Sequence, residues 1–212
     1  MEQVRKGFFV TLEGGEGSGK STAIAGMKRY FEGNGFTVMV TREPGGVPVA
    51  EQIRKVILDS DMTPLTEAYL FAAARQEHLQ QKVLPALERG EVVICDRFVH
   101  SSYAYQGYAG GLGVPFISRL NAPILEQCYP DRTFYLDIDP EIGLGRIREN
   151  KRETNRMDEQ QLAFHQLVRE GYRQCMEWDE KMVLIDANQP QEKVLKDLTV
   201  QLDAFFTAKA IG

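Results

Sequence analysis

The chain has 212 residues, of which 43% are hydrophobic and 26% charged, and its formal net charge at pH 7 is -5. This length and balance predict one globular domain with a sizeable core. The acidic net charge argues against a protein whose main partner is a nucleic-acid backbone. No apolar run approaches the roughly 20 residues of a membrane-spanning helix, and the first residues lack the apolar stretch of a signal peptide. The three cysteines form no CxxC pair, which predicts reduced thiols in a cytoplasmic protein.

Short apolar runs alternate with longer amphipathic stretches along the chain. The apolar runs predict strands at 8–12, 37–41, 92–95, 133–138 and 182–186. The amphipathic stretches predict helices at 20–33, 48–59, 65–89, 114–127, 140–149, 158–180 and 190–208. This alternation predicts an α/β fold with a five-stranded parallel sheet and helices on both faces. Ligands of such folds bind beyond the carboxyl ends of the strands.

The stretch "GGEGSGKST" follows the first predicted strand and opens the first predicted helix. Gly14, Gly19, Lys20 and Ser21 match the phosphate-binding P-loop pattern, in which backbone N–H groups of a glycine-rich turn and a helix N-terminus surround phosphate oxygens. The lysine neutralises phosphate charge, and the hydroxyl is a ligand for Mg²⁺. A glycine turn with a coincidental Lys-Ser is the alternative, but the strand before the loop and the helix after it favour phosphate binding.

The third predicted strand ends in "VVICDRF". Asp96 at a strand end is placed to bind Mg²⁺ directly or through water, and Arg97 can span two phosphates with its forked guanidinium. A GTPase would carry Asn-Lys-x-Asp, and a motor ATPase would carry Asp-Glu at this strand end. Neither motif is present, so the pair favours phosphoryl transfer to a second phosphate, with a surface salt bridge as the alternative.

Three further segments are candidates for binding the acceptor. Arg42, in "TREPGG", ends the second predicted strand, and Arg54 follows on the next predicted helix. Phe71 and Arg75 are four residues apart, so they share a helix face that could stack a base and bond its edge. Core packing with a solvated rim is the alternative for that pair. The segment "DRFVHSSYAYQGY" adds four polar side chains at near-helical spacing: Ser101, Ser102, Tyr105 and Gln106.

Together these motifs resemble thymidylate kinase, a P-loop nucleoside-monophosphate kinase that phosphorylates dTMP to dTDP with MgATP in dTTP biosynthesis. The resemblance rests on "EGGEGSGKST", "TREPGGVP", "FAAAR", "DRFVHSSYAYQGY" and "NKRETNRMDE", and it covers nearly the whole chain. It implies a transferase of the cytoplasm, a homodimer, and a single kinase domain over 1–212 with a mobile lid at about 146–158.

The resemblance also implies roles for particular residues. ATP would bind Gly14, Gly15, Glu16, Gly17, Ser18, Gly19, Lys20, Ser21 and Thr22. The acceptor dTMP would bind Glu16, Arg42, Arg54, Phe71, Arg75, Arg97, Ser101, Ser102, Tyr105 and Gln106. The catalytic residues would be Lys20, Arg42, Asp96, Arg97, Arg152 and Arg156, with Ser21 and Asp96 holding Mg²⁺.

Several of the implied contacts are specific. Phe71 would stack on thymine, Arg75 would reach its O4 atom, and Gln106 with Ser102 would address N3. Glu16 would face the 3′-hydroxyl of the sugar, and Tyr105 would disfavour a 2′-hydroxyl.

The P-loop departs from one pattern seen in the family, because no arginine occupies its variable positions. The basic segment 150–156 resembles the lid of the bacterial subtype, so Arg152 and Arg156 are the candidates for stabilising the transferred phosphoryl group. Arg146, Arg148 and Lys151 compete for that role, and a solvated loop is the alternative for the segment as a whole.

Two other functions stay open at the level of sequence. A related kinase could act on dCMP or on a nucleoside instead of dTMP. A protein of a different class could bind ATP at the P-loop as a switch, with no acceptor-dependent release of ADP.

Overall fold

A computed structural model describes residues 7–149 and 161–210, with side chains described through residue 206. Its strands are β1 (Phe8–Gly14), β2 (Val38–Arg42), β3 (Val92–Asp96), β4 (Arg132–Asp137) and β5 (Met182–Asp186). Its helices are α1 (Lys20–Gly33), α2 (Pro48–Asp59), α3 (Pro64–His78), α4 (Leu84–Glu88), α5 (Val99–Ser102), α6 (Val114–Leu125), α7 (Pro140–Glu149), α8 (Leu162–Trp178) and α9 (Gln191–Ala210). Within these ranges, no helix is both long and apolar enough to span a bilayer.

The five strands form one parallel sheet in the order β2-β3-β1-β4-β5. The register aligns Arg42 of β2 with Asp96 of β3, and Asp96 with Leu12 of β1. The carboxyl ends of these three strands therefore lie side by side. The predicted α/β fold and its five-stranded parallel sheet are confirmed.

Alternate side chains of the central strands enter two different cores. Phe9, Val93 and Cys95 pack on one face with residues of α3, α6 and α8, including Ala72 and Tyr172. Val10, Leu12 and Ile94 pack on the other face with residues of α1 and α9, including Met27 and Leu198. Helices therefore cover both faces, and burial on both faces explains the continuous apolar runs of the strands.

Two helical segments differ from the sequence prediction. The helix predicted at 65–89 is divided into α3, a π-helical stretch at Leu79–Val83, and α4. Pro85 lies at the start of α4, and a proline ring cannot donate to the preceding turn, so the turn before it widens. Segment 99–109 lies outside the predicted helices but forms α5 and a π-helical stretch at Tyr103–Ala109.

The P-loop packs directly on α7. A Cβ atom added to Gly17 would overlap the carbonyl of Gly143, and a Cβ atom added to Gly143 would overlap the carbonyl of Glu16. Gly17 also has a φ of 70°, a left-handed conformation that costs glycine least. The close approach of two backbones therefore fixes the position of the loop against α7.

We expect Gly143→Ala to destabilise the fold, because its new methyl group must displace the P-loop backbone. Overpacking of this kind lowers the free energy of unfolding by about 1–3 kcal/mol. Since each kcal/mol lowers the melting temperature by about 2–4 °C in a domain of this size, the melting temperature should fall by several degrees. Gly145→Ala is the matched control on the same helix, since a Cβ atom there meets no described atom within 4 Å. Equal melting temperatures for the two variants, measured by calorimetry, would contradict this account.

Candidate active site

A cavity of about 630 Å³ lies at the carboxyl edge of the sheet, where β1, β2 and β3 end. It brings together most of the predicted site residues, namely Glu16, Gly17, Ser18, Gly19, Lys20, Ser21, Thr22, Arg42, Arg54, Phe71, Arg75, Asp96, Arg97, Ser101, Ser102, Tyr105 and Gln106. Gly14 and Gly15 are not among the residues that line this cavity. Arg152 and Arg156 fall outside the described residues.

The P-loop is closed by hydrogen bonds from its own side chains. Ser18 Oγ donates to the carbonyl oxygen of Gly15 at 2.8 Å. Lys20 Nζ donates to the carbonyl oxygens of Gly14 and Gly15 at 3.0 and 3.2 Å. Gly19, which precedes α1, has a φ of 87°. The loop is therefore held in a tight curl at the N-terminus of α1, where backbone N–H groups favour anions.

Two cations of the cavity have lowered pKa values. Burial lowers the pKa of Lys20, and the positive charge of Arg97 lowers it further. Burial also lowers the pKa of Arg54, and Arg42 adds to the effect. Neighbouring positive charges destabilise one another, and an anion bound between them would offset this repulsion. The electrostatics of the cavity therefore suit phosphorylated ligands.

Arg97 is held both by an unusual backbone conformation and by contacts of its side chain. Its φ of 68° is the one positive value at a non-glycine position among the described residues, and such conformations concentrate at functional sites. Its guanidinium donates to Glu16 Oε1 at 2.6 Å and to Tyr172 OH at 3.2 Å, and it lies 5.1 Å from the centre of the Tyr105 ring. Burial alone would lower the pKa of Arg97, but the surrounding acidic groups outweigh burial and raise it, so the guanidinium stays charged.

A buried carboxylate supports this arginine from behind. Glu13, at the end of β1, is fully buried and accepts hydrogen bonds from the backbone N–H of Phe98 at 2.7 Å and from Ser101 Oγ at 2.6 Å. It also accepts from Tyr172 OH at 2.9 Å. Ser101 and Tyr172 are both partners of Arg97. Sequence reasoning missed Glu13 and Tyr172, because their partners lie far away in the chain.

Arg42 and Arg54 flank the second loop of the cavity. Arg42 Nη2 donates to both carboxylate oxygens of Glu51 at 3.0 Å and keeps about half of its side chain exposed. A hydrogen bond from the backbone N–H of Gly46 lowers the pKa of Glu51, and Arg42 lowers it further. Arg54 Nη1 donates to the carbonyl oxygen of Pro44 at 3.0 Å. Both guanidinium groups therefore have fixed anchors at the cavity wall.

Arg75 is buried to 1% exposure and is held by four groups. Its Nε atom donates to Glu43 at 2.7 Å, Nη1 donates to Asn121 at 2.6 Å, and Nη2 donates to Ser102 and to the carbonyl of Phe98 at 3.1 Å each. Glu43 also pairs with His78 at 2.9 Å. The sequence alternative, in which Arg75 would be a solvated residue at the rim of the core, is therefore wrong. Glu43 and Asn121 gave no local signal in the sequence.

Phe71 lies one helical turn before Arg75 on α3 and is half-buried in the cavity wall. Across from α3, Tyr105 OH donates to Glu16 at 3.3 Å, and the amide nitrogen of Gln106 donates to Glu67 at 2.8 Å. The cavity thus combines a ring, a fixed guanidinium and a fixed amide, which are groups suited to the face and edge of a base.

The chain segment after β5 also reaches the cavity. Gln189, Gln191, Val194 and Leu195 contribute to its lining. Arg146 of α7 lines it too and donates to the carbonyl oxygen of Ala187 at 3.0 Å. Three of these four lining residues belong to the first turns of α9, so the helix start after β5 forms part of the cavity wall.

Comparison with known proteins agrees with this geometry. The sequence model of the thymidylate kinase family matches residues 12–198. The chain belongs to the thymidylate kinase family. Its relatives include thymidylate kinases of Halalkalibacterium halodurans (53% identical over 91% of this chain and 94% of the relative) and Bacillus cytotoxicus (50% identical over 91% and 95%). A thymidylate kinase of Bacillus cereus strain Q1 is 49% identical over the same shares, 91% and 95%. Members of the family are enzymes that transfer a phosphoryl group from ATP to dTMP.

Proposed function

We propose that this protein carries out the reaction of its family through the residues gathered in the cavity, with ATP on the P-loop and dTMP between α3 and the segment 97–106. The observation that carries the proposal is the position of Arg97. It lies in one cavity with Lys20 of the P-loop and with Arg42 and Arg54 of the second loop. A hydrolase needs no such second group of cations, whereas a kinase whose acceptor is a phosphate does.

The chemistry needs no covalent intermediate on the protein. An oxygen of the dTMP phosphate forms a bond to the γ-phosphorus of ATP, the bond from that phosphorus to the bridging oxygen breaks, and ADP leaves. Arg97 would lie between the two phosphates, and Lys20 would neutralise charge on the donor. Because these cations are already fixed by protein groups, little reorganisation is needed when charge develops.

Asp96 and Ser21 offer oxygen ligands that fit a magnesium ion. Asp96 Oδ1 is buried and has no hydrogen-bond partner among the described residues, and both Asp96 and Ser21 line the cavity. Oxygen ligands of this kind suit Mg²⁺. Bound there with ATP, Mg²⁺ would neutralise charge on the β- and γ-phosphates.

The acceptor roles that the family resemblance implies involve residues that line the same cavity. The half-buried ring of Phe71 would stack on thymine, the fixed guanidinium of Arg75 would face O4, and Gln106 with Ser102 would address N3. Tyr105 is buried against Arg97 and Glu16, where a stiff ring would crowd a 2′-hydroxyl. Glu16 would face the 3′-hydroxyl.

We further propose that a lid covers the cavity and that the protein is located in the cytoplasm. Arg146, at the start of the predicted lid 146–158, already contributes to the cavity wall. Arg152 and Arg156 would then stabilise the transferred phosphoryl group, within a single kinase domain over 1–212. A lid that closes on both substrates would keep out water that hydrolyses ATP.

The direct test is acceptor-dependent release of ADP. A coupled assay follows the release of ADP from MgATP with five acceptors: dTMP, dUMP, dCMP, dGMP and thymidine. We expect dTMP to give the highest kcat/KM of the five. A preference for dCMP or thymidine would identify a different nucleotide kinase. Tight ATP binding without ADP release for any acceptor would identify a nucleotide-dependent binding protein.

Removing the arginine between the phosphates should mainly slow turnover. We expect Arg97→Ala to lower kcat by about 10³-fold or more, the scale of arginines that stabilise phosphoryl transfer, with a smaller change in ATP affinity. Arg29→Ala is the matched control, because Arg29 is exposed on α1 far along from the P-loop. Turnover of Arg97→Ala near that of the control would exclude the bridging role.

We also propose that the protein is a homodimer, as the family resemblance implies. Apolar side chains are exposed on two neighbouring helices, Val49 and Val56 on α2 and Leu65 and Tyr69 on α3. Analytical ultracentrifugation at micromolar concentration should give twice the chain mass of 24.0 kDa, and Val56→Glu should shift the mass toward the single chain. A wild-type mass of one chain would exclude the dimer.

A further inference from the structure

Gln106 lies in the π-helical stretch Tyr103–Ala109 and is nearly buried while lining the cavity. Its amide nitrogen donates to Glu67 Oε1 at 2.8 Å. Glu67 is not part of the cavity lining. The carboxylate therefore holds the amide of Gln106 from outside the site.

The partner of this amide determines its orientation. An ionised carboxylate only accepts hydrogen bonds, whereas an amide has a nitrogen that donates and an oxygen that accepts. The nitrogen of Gln106 must consequently face Glu67. A half-turn of the amide would place its carbonyl oxygen against the carboxylate, and two acceptors facing each other in a mostly buried place are costly. Among the described residues, the side-chain carbonyl oxygen and the second N–H of Gln106 have no hydrogen-bond partner, so both remain for a ligand.

Glu67 also lies on the same face of α3 as the two residues proposed to contact the base. Glu67, Phe71 and Arg75 are spaced by four residues, so they form one row along α3. Phe71, Arg75 and Gln106 line one cavity, and Glu67 holds the amide of Gln106. A base stacked on Phe71 would therefore have both the guanidinium of Arg75 and the amide of Gln106 within the same cavity.

The pyrimidines differ at the edge that such an amide would contact. Thymine and uracil carry a donor at N3 and an acceptor at O4, whereas cytosine carries an acceptor at N3 and a donor at N4. An amide in one orientation complements the first edge, and the same amide after a half-turn complements the second. Arg75, proposed to face O4, only donates and so disfavours the N4 amino group of cytosine in any case. The orientation of Gln106 determines the matching choice at N3.

We propose that Glu67 is a positioning residue for base selection: it fixes the amide of Gln106 so that its carbonyl oxygen accepts from N3–H, and it thereby excludes cytosine. This inference rests on the proposed function, since it concerns the acceptor end of the same site. Glu67 does not discriminate thymine from uracil, which present the same atoms at N3 and O4.

The test is the substrate preference of Glu67→Gln. A glutamine at this position can donate as well as accept, so both orientations of Gln106 become possible. We expect the ratio of kcat/KM for dTMP to that for dCMP to fall by about tenfold or more, while the ratio for dTMP to dUMP stays the same. Glu67→Ala, which removes the partner altogether, should lower the first ratio in the same direction.

Glu77→Gln is the matched control, because it makes the same charge change on the same helix outside the row; both ratios should stay at the wild-type values. A merely structural role of Glu67 would lower kcat/KM equally for dTMP and dCMP, and that result would overturn the inference. An unchanged dTMP-to-dCMP ratio in both Glu67 variants would overturn it as well. If the wild-type protein phosphorylates dTMP, either of these results leaves the proposed function unaffected. If the wild-type protein is inactive on dTMP, both the proposed function and the inference about Glu67 are refuted.

Discussion

The parallel register of three strands is the constraint on which the site depends. Because β2, β3 and β1 are neighbours that run in the same direction, their carboxyl ends meet at one edge of the sheet. Arg42 is aligned with Asp96, and Asp96 is aligned with Leu12, two residues before the P-loop begins. An arginine, a carboxylate and a phosphate-binding loop are thus brought together by backbone hydrogen bonds. Any sequence that keeps these strands in register keeps these groups adjacent.

The second constraint is the cost of burying charge. Arg75 is 1% exposed, and Glu43 and His78 beside it are also buried. Buried charges are tolerated only when they are paired and their hydrogen-bonding groups are satisfied. Arg75 meets this condition through four hydrogen bonds. The same bonds that offset desolvation also prevent the guanidinium from moving, so a residue that is costly to bury becomes a rigid wall of the cavity.

Local patterns in the sequence predicted the features that are themselves local. The bounds of α1, α2 and α7 agree with the predicted ranges, because apolar periodicity and a Gly or Pro at one end define them. The bounds of β5 also agree, because the strand is a short apolar run between polar residues. The P-loop and the strand-end residues were also predictable, since parallel strands fix where their ends lie. Partners distant in the chain were not: Tyr172 meets Arg97 across 75 positions, and Asn121 meets Arg75 across 46. Such pairs leave no periodic signal, because they arise only when helices pack on the sheet.

The segment that joins the phosphate end to the base end is short and rigid. Phe98 donates its backbone N–H to Glu13, and its carbonyl oxygen accepts from Arg75. Arg97 precedes it with the left-handed φ of 68° and makes its own contacts to Glu16 and Tyr172. One buried residue therefore sets the distance between Arg97, which we propose to face the phosphates, and Arg75, which we propose to face the base. Because a reaction without a covalent intermediate depends on alignment of its two substrates, we expect this spacing to affect turnover as well as binding. Tyr172 on α8 takes part in the same network, so the alignment is complete only when the C-terminal half of the chain has packed against the P-loop half.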